Sequence, residues 1–230
     1  MGATIVPLRH PDDLGVFAHP PDLADLEGLR QLMPKAYAAL DGPMFGSACS
    51  PHGRGPGCLQ YRLLDRARGL DSPSMYPDRG LTFAVGGIVS RARVLHGAPE
   101  AEIESARVAV QTWPTLVQNG DPSSGSADPE AVGRAALCML RDGRLAFAAG
   151  MGPMGMFARE LAGRGVLWAG YTDGGGSTGM LGPGVEIGGN RPVPAWLVAV
   201  PSSWIGRWWP ALLGIAAAGV IGAVVLPRER

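Results

Sequence analysis

Cysteine, charge and histidine are all scarce in this chain, and each scarcity removes a class of function. The three cysteines, Cys49, Cys58 and Cys138, include no CxxC pair and no neighbouring histidine ladder, so zinc is not indicated and no metal or other cofactor is expected. Cys49 and Cys58 bracket a loop and would be bridged only in an oxidising compartment, whereas Cys138 lies in an apolar run and reads as a small core residue. Charged residues make up 17% of the chain, twenty basic against twenty acidic, with no basic cluster interleaved with aromatics. The electrostatic footprint of a nucleic-acid binder is missing, and nucleic acid is not expected as a partner. His10, His19, His52 and His96 fall at no spacing that suggests a ligand set or a triad. Residues 1–11 lack a basic segment followed by an apolar one, so no secretory signal peptide is read there.

What is present is apolar and turn-rich. Hydrophobic residues make up 46% of 230, enough for a sizeable core, and 35 Gly with 21 Pro favour many short elements over a helical bundle. One long uncharged run, residues 208–226, lies between Arg207 and Arg228. As a helix it would be about 28 Å long, close to the thickness of a bilayer's hydrocarbon. Trp204, Trp208 and Trp209 at its entrance suit the headgroup layer, so a single-pass C-terminal membrane anchor is expected, the alternative being a buried core helix. Gly214, Ala218 and Gly222, four apart, would allow two such helices to approach and self-associate. Arginines on both sides leave the topology open.

Apolar runs broken by Gly and Pro predict strands at residues 36–40, 82–85, 92–95, 107–111 and 195–200. Residues 22–32 predict a helix with Asp22 as N-cap and Leu23, Leu26, Leu29 and Leu32 as its apolar stripe. Residues 47–80 read mostly as loop, with a short strand-like or helical piece at 59–67, and 122–129 as a polar insertion. Asp142-Gly143 between two apolar runs predicts a hairpin, followed by a helix at 157–162 and a strand at 166–171. The expected fold class is therefore α+β, a mixed α/β sheet domain, with a C-terminal transmembrane helix. Its expected divisions are an N-terminal segment (1–35), the sheet domain (36–203) and the anchor (204–230).

The strand at 166–171 runs into Thr172-Asp173-Gly174-Gly175-Gly176-Ser177-Thr178. A carboxylate, three glycines and two hydroxyls at a strand end bring polar groups to a place where bare backbone can approach a ligand. Alone, such a turn is as well read as a connector. Its neighbours change that. Leu116-Val117-Gln118-Asn119-Gly120, then Gly133-Arg134-Ala135-Ala136-Leu137 with Asp142-Gly143-Arg144-Leu145, then the glycine turn, then Asn190-Arg191-Pro192 occur in an order that resembles the phosphodiester glycosidase family from about residue 36 to 201. Two positions depart from the family's pattern. An Asn-Gly-Gly-Phe-Phe-like turn stands here as Asp41-Gly42-Pro43-Met44-Phe45, and Thr172 replaces an apolar residue before the aspartate. An Asp at 41 donates a hydrogen bond only when protonated.

The resemblance implies hydrolysis of a glycosyl phosphodiester, in a surface glycan or cell-wall-type polymer, with a sugar-phosphate conjugate as the partner. It assigns Asp173 to the water or the anomeric centre and Asp41 to assist as second carboxylate. Arg134 would meet phosphate oxygens, with Gly174, Gly175, Gly176, Ser177, Thr178 and Asn190 contacting phosphate or sugar. The alternative on the same scaffold is a non-catalytic, membrane-anchored glycan-binding or structural protein, a viral one included.

Overall fold

Continuous apolar runs decide this architecture, because almost every long strand is buried on both faces. The computed structural model describes residues 2–18, 25–42, 60–86, 91–123, 128–188 and 191–202. The chain opens with β1 (Thr4–Pro7) and β2 (Leu14–Ala18), then helix α1 (Leu26–Leu32) and β3 (Ala38–Asp41). A middle group follows: β4 (Leu63–Asp65), β5 (Leu70–Ser72), β6 (Leu81–Gly86), β7 (Arg91–His96), the short helix α2 (Glu100–Ile103) and β8 (Ala106–Thr112). Next come β9 (Thr115–Gln118), β10 (Asp121–Pro122), β11 (Val132–Leu140), β12 (Leu145–Gly152), helix α3 (Met154–Gly163) and β13 (Val166–Gly174). The last strands are β14 (Gly179–Gly182), β15 (Val185–Gly188) and β16 (Ala195–Ala199).

These strands form three sheets, ordered β1-β12-β11-β13-β9-β10, β15-β14-β3-β16-β2 and β5-β4-β8-β6-β7. One core joins the inner faces of all three, including Leu137 and Phe147 from the first, Leu40 and Leu197 from the second, and Phe83 and Val110 from the third. Each outer face is covered by one helix. Ala136 and Cys138 of β11 lie under Phe157 and Leu161 of α3, Trp196 and Val198 of β16 under Leu26 and Leu29 of α1, and Ala106 and Ala109 of β8 against Ile103 of α2. Strands buried on both sides need apolar residues at every position, hence runs such as 135–140 and 195–200. Cys138 is a buried free thiol whose pKa burial pushes up, the core residue expected.

The expected mixed α/β character is corrected. The protein is mostly β with three short helices among the described residues, and every strand pairing there is antiparallel. Helix α3 does carry the chain across the sheet, but β11 lies between β12 and β13 and pairs with both, so no parallel ladder forms. Nor do residues 1–35 stand apart: β1 pairs with β12, β2 pairs with β16, and one compact unit runs from Met1 to Val200. The expected anchor at 208–226, with Gly214, Ala218 and Gly222, lies outside the described residues; among those described, no helix is long and apolar enough to cross a membrane.

Local signals held where turn chemistry was specific. At the Asp142-Gly143 hairpin, Gly143 takes φ +83 and Leu140 N–H donates to the Arg144 carbonyl at 2.8 Å. Asn119 and Gly120, at φ 55 and 89, form a second two-residue hairpin between β9 and β10, read from sequence only as a motif segment. The N-cap of α1 is Asp25, whose carboxylate accepts the Gly28 N–H at 2.8 Å; Asp22 and Leu23 lie outside the described residues. Leu32 is 52% exposed, because the buried stripe continues from Leu29 to Met33, in step with a 3.6-residue turn. The short strand-like or helical piece expected at 59–67 is β4 and the 3-10 turn after it, Arg66–Arg68; β5, expected as loop, pairs with β4 to form a hairpin. His10 caps the 3-10 turn at Pro11–Asp13 and His96 packs edge-on to Trp168, so both are structural; His19, His52, Cys49 and Cys58 lie outside the described residues.

Leu137 sits in the core shared by the three sheets, with no exposed surface. Leu137→Ala is expected to lower stability by about 2–5 kcal/mol, whereas Leu32→Ala should stay within about 0.5 kcal/mol. Urea unfolding midpoints of the two variants check this.

Candidate functional site

The glycine turn is the bridge between two sheets. Strand β13 belongs to the six-stranded sheet; it passes into a 3-10 turn at Gly175–Ser177 and then into β14, which pairs with β3 in the neighbouring sheet, Met180 opposite Leu40. This crossing brings Asp173, near the end of β13, up to Asp41, at the end of β3. The Gly179 N–H fastens the junction by donating to Asp41 Oδ1 at 3.2 Å. Asp41 has no exposed surface, and among the described residues its Oδ2 has no hydrogen-bond partner. Asp173 is only partly buried, and the adjoining Gly175 and Gly176 are exposed.

Asp173 receives most of the local polar support. Its Oδ1 accepts the Gly174 N–H at 2.8 Å, and the Ser177 hydroxyl and the charge of Arg191 also favour its ionised form. Burial outweighs these and leaves its pKa raised. Asp41 is held well above the ordinary carboxylate range, first by burial and then by the negative charge of Asp173, with the Gly179 amide opposing. Two residues back on the same face of β13, Tyr171 is pushed up to about 12 by burial, against the pull of Arg134 and with both aspartates adding to the rise. The phenol therefore keeps its proton.

Arg134 lies on β11 opposite Gly174 and is 2% exposed. Its Nε donates to the Gly152 carbonyl at 3.2 Å, Nη1 to Tyr171 Oη at 3.4 Å, and Nη2 to the Glu130 carbonyl at 2.8 Å and Asp128 Oδ2 at 2.9 Å. The guanidinium also lies 5.8 Å from the centre of the Tyr171 ring. Most of its donors are thus engaged by the protein, so it braces Tyr171 and the turn instead of presenting an open fork to phosphate.

The glycines of the turn serve different ends. A Cβ on Gly174 would fall on the Tyr171 hydroxyl and stand 2.8 Å from the Gly133 carbonyl, so the phenol packs where only glycine fits. The Gly174 amide is spent on Asp173, so the turn orients a carboxylate as well as leaving Gly175 and Gly176 exposed beside it. Ser177 and Thr178, expected to contact phosphate or sugar, are both buried, Ser177 bonded to Asp173 and Thr178 packed against Gly133. Thr172 is likewise buried, its hydroxyl without a partner among the described residues. Asn190 lies outside the described residues.

Asp41, Arg134 and Asp173 are therefore brought together around Tyr171. Tyr171 and Arg191 were missed by sequence reasoning. Period-two spacing from Asp173 could have flagged the first, and the arginine's place in the Asn-Arg-Pro loop the second. Among the described residues no group of three His, Cys, Asp or Glu could hold a metal. A cavity of about 350 Å³ lies away from this cluster, lined by Asp12, Arg66 and Arg107 among others. Both of its arginines donate to backbone carbonyls, which makes them structural clamps.

Gly174→Ala is expected to cost about 1–3 kcal/mol by overpacking, and part of that cost should vanish in a Tyr171→Phe background, where the displaced hydroxyl is gone. A double-mutant cycle of unfolding free energies measures this coupling, expected at about 0.5 kcal/mol or more.

Several solved structures share the fold. The zebrafish N-acetylglucosamine-1-phosphodiester alpha-N-acetylglucosaminidase catalytic domain, auto-inhibited by its pro-peptide, matches with a TM-score of 0.62 at 14% identity, over 87% of this chain and 73% of that one. A protein from Burkholderia pseudomallei matches with a TM-score of 0.56 at 13% identity, over 87% and 72% of the two chains. A hypothetical protein from Synechocystis matches with a TM-score of 0.52 at 13% identity, over 87% of this chain and 57% of its own. No curated protein matches the sequence. At such identities the structures speak for the fold alone, but the sequence profile of the phosphodiester glycosidases also matches residues 78–205, more than half of the chain. On that match the chain belongs to the phosphodiester glycosidase family.

Proposed function

We propose that this protein hydrolyses a glycosyl phosphodiester, breaking the bond between the anomeric carbon of a sugar and a phosphate oxygen in a surface glycan or cell-wall-type polymer. The observation that carries the reading is the meeting of Asp173 and Asp41 at the glycine turn, one carboxylate partly exposed and the other wholly buried. Family membership favours the same reaction class, and the zebrafish enzyme of similar fold is named for a sugar 1-phosphodiester.

In this reaction water adds to the anomeric carbon, the carbon–oxygen bond breaks, and a phosphate monoester departs with the bonding electrons. Its anion is stable, so the larger task is stabilising the cationic sugar and accepting the water's proton. Asp173 is the group placed for that work. Its bonds from Gly174 and Ser177 fix its orientation toward the exposed floor of Gly175 and Gly176. Arg191, exposed and close enough to act on Asp173, supplies positive charge at the rim for phosphate oxygens. Arg134 acts from behind, fixing Tyr171. Residues 208–226 are proposed as a membrane anchor on their length and lack of charge.

Asp173→Asn in the full-length protein is expected to lower kcat on a synthetic glycosyl phosphodiester by about 10²–10⁴-fold, measured as free sugar released, with circular dichroism unchanged. Equal release by the variant would sink the assignment. Because Asp173 must be ionised and its pKa is raised, wild-type activity should fall on the acid side at a pH above the usual aspartate value of about 3.9.

A further inference from the structure

The two carboxylates at the turn do not share their support equally. Asp173 receives the Gly174 amide, the Ser177 hydroxyl and the charge of Arg191. Asp41 receives one hydrogen bond from another residue, the Gly179 amide on Oδ1, with its own backbone N–H adding a weaker pull. It forms no salt bridge with a described residue, has no exposed surface, and leaves Oδ2 unpartnered among those residues. The groups acting on it are Asp173 and Tyr171 from β13 and the Gly179 amide from β14, while Trp196 of β16 is its strand neighbour; Arg134 reaches the cluster through Tyr171. A second bare anion in that position would be buried beside the first with one hydrogen bond to hold it, an arrangement that costs several kcal/mol.

We propose that Asp41 is the proton-bearing member of the pair, with its proton on Oδ2, while Asp173 is the anion. The inference rests on the reaction proposed above for its effect on turnover: with no exposed surface, Asp41 is a positioning residue that acts through the neighbouring Asp173 and does not touch the substrate. Oδ1 is then the carbonyl oxygen that takes the Gly179 amide, and Oδ2 the hydroxyl. The two ends of one side chain have opposite hydrogen-bonding roles, which an ionised carboxylate does not offer because it only accepts. An asparagine has the same polarity, with an acceptor oxygen and a donor amide. Raised as it is by burial and by the charge on Asp173, Asp41 holds this proton after Asp173 has lost its own.

The distinguishing comparison is Asp41→Asn against Asp41→Ala in the full chain. Asn keeps a donor and an acceptor, so it should retain turnover within about tenfold and lose the alkaline limb of the pH–rate profile, since its donor does not titrate; Ala should lose turnover by about 10² or more. An Asn variant as inactive as Ala, or one that keeps the alkaline limb, overturns the proposal. Infrared spectroscopy gives a readout independent of turnover. A carboxylic-acid carbonyl band should be present in the wild type at neutral pH, vanish in Asp41→Asn, and titrate away at lower pH in Asp173→Asn, where the neighbouring charge is gone. Absence of that band overturns the proposal whatever the turnover. Presence of the band with no turnover of any glycosyl phosphodiester sinks the glycosidase reading and leaves the protonated Asp41 standing.

Discussion

Where the chain passes from the six-stranded sheet into the β3-containing one, the Gly179 amide of β14 is pinned to Asp41 of the adjacent β3, and the core shared by the sheets closes behind it. The chain leaves β13, turns through three residues and is at once part of another sheet. Little space is available for that passage. Gly133 has Thr178 Oγ1 2.6 Å from where a Cβ would stand, and Gly174 has the Tyr171 hydroxyl there. Bulk at Gly133 would press on Thr178 and Gly175 of the turn, and bulk at Gly174 on Tyr171, so either would displace the segment that carries Asp173. The glycines are thus a requirement of sheet packing before they are a feature of any binding site.

From this junction the charge distribution follows. Burial disfavours ionisation of both aspartates, and the side with more donors becomes the anion. Arg134 contributes indirectly: by engaging Glu130, Asp128 and Gly152 it holds a positive charge against Tyr171, which itself stands between the two carboxylates in their electrostatic effects. Burying the guanidinium costs desolvation energy, which its satisfied donors offset, and in return a phenol and a turn are kept in register.

Most of the elements were legible in the sequence because their signals are local. Apolar runs broken by Gly and Pro marked β6, β7, β8 and β16, and Asp142-Gly143 marked its hairpin. The N-terminal strands β1 and β2 were not legible, since four or five apolar residues beside prolines specify no partner, and their partners lie about 140 or more residues away. The site was half legible for the same reason. Asp173 announces itself by the glycines that follow it, but nothing near Asp41 in the chain says that it will face Asp173; only the ladder between β14 and β3 does. Tyr171 passed as one more apolar strand residue, and Arg134 was read as a partner for phosphate oxygens because its acceptors within the protein, two of them backbone carbonyls, have no sequence signature.

The pairing of β2 with β16, Leu14 opposite Ala199, has a consequence for how the protein comes into being. Strand β2 leaves the ribosome long before β16 and must wait for it before that edge is paired, and the shared core cannot close until then. A chain dominated by such distant contacts folds slowly and leaves apolar strand edges open in the interval. Synthesis, more than chemistry, is the period in which this molecule is most exposed to aggregation and proteolysis.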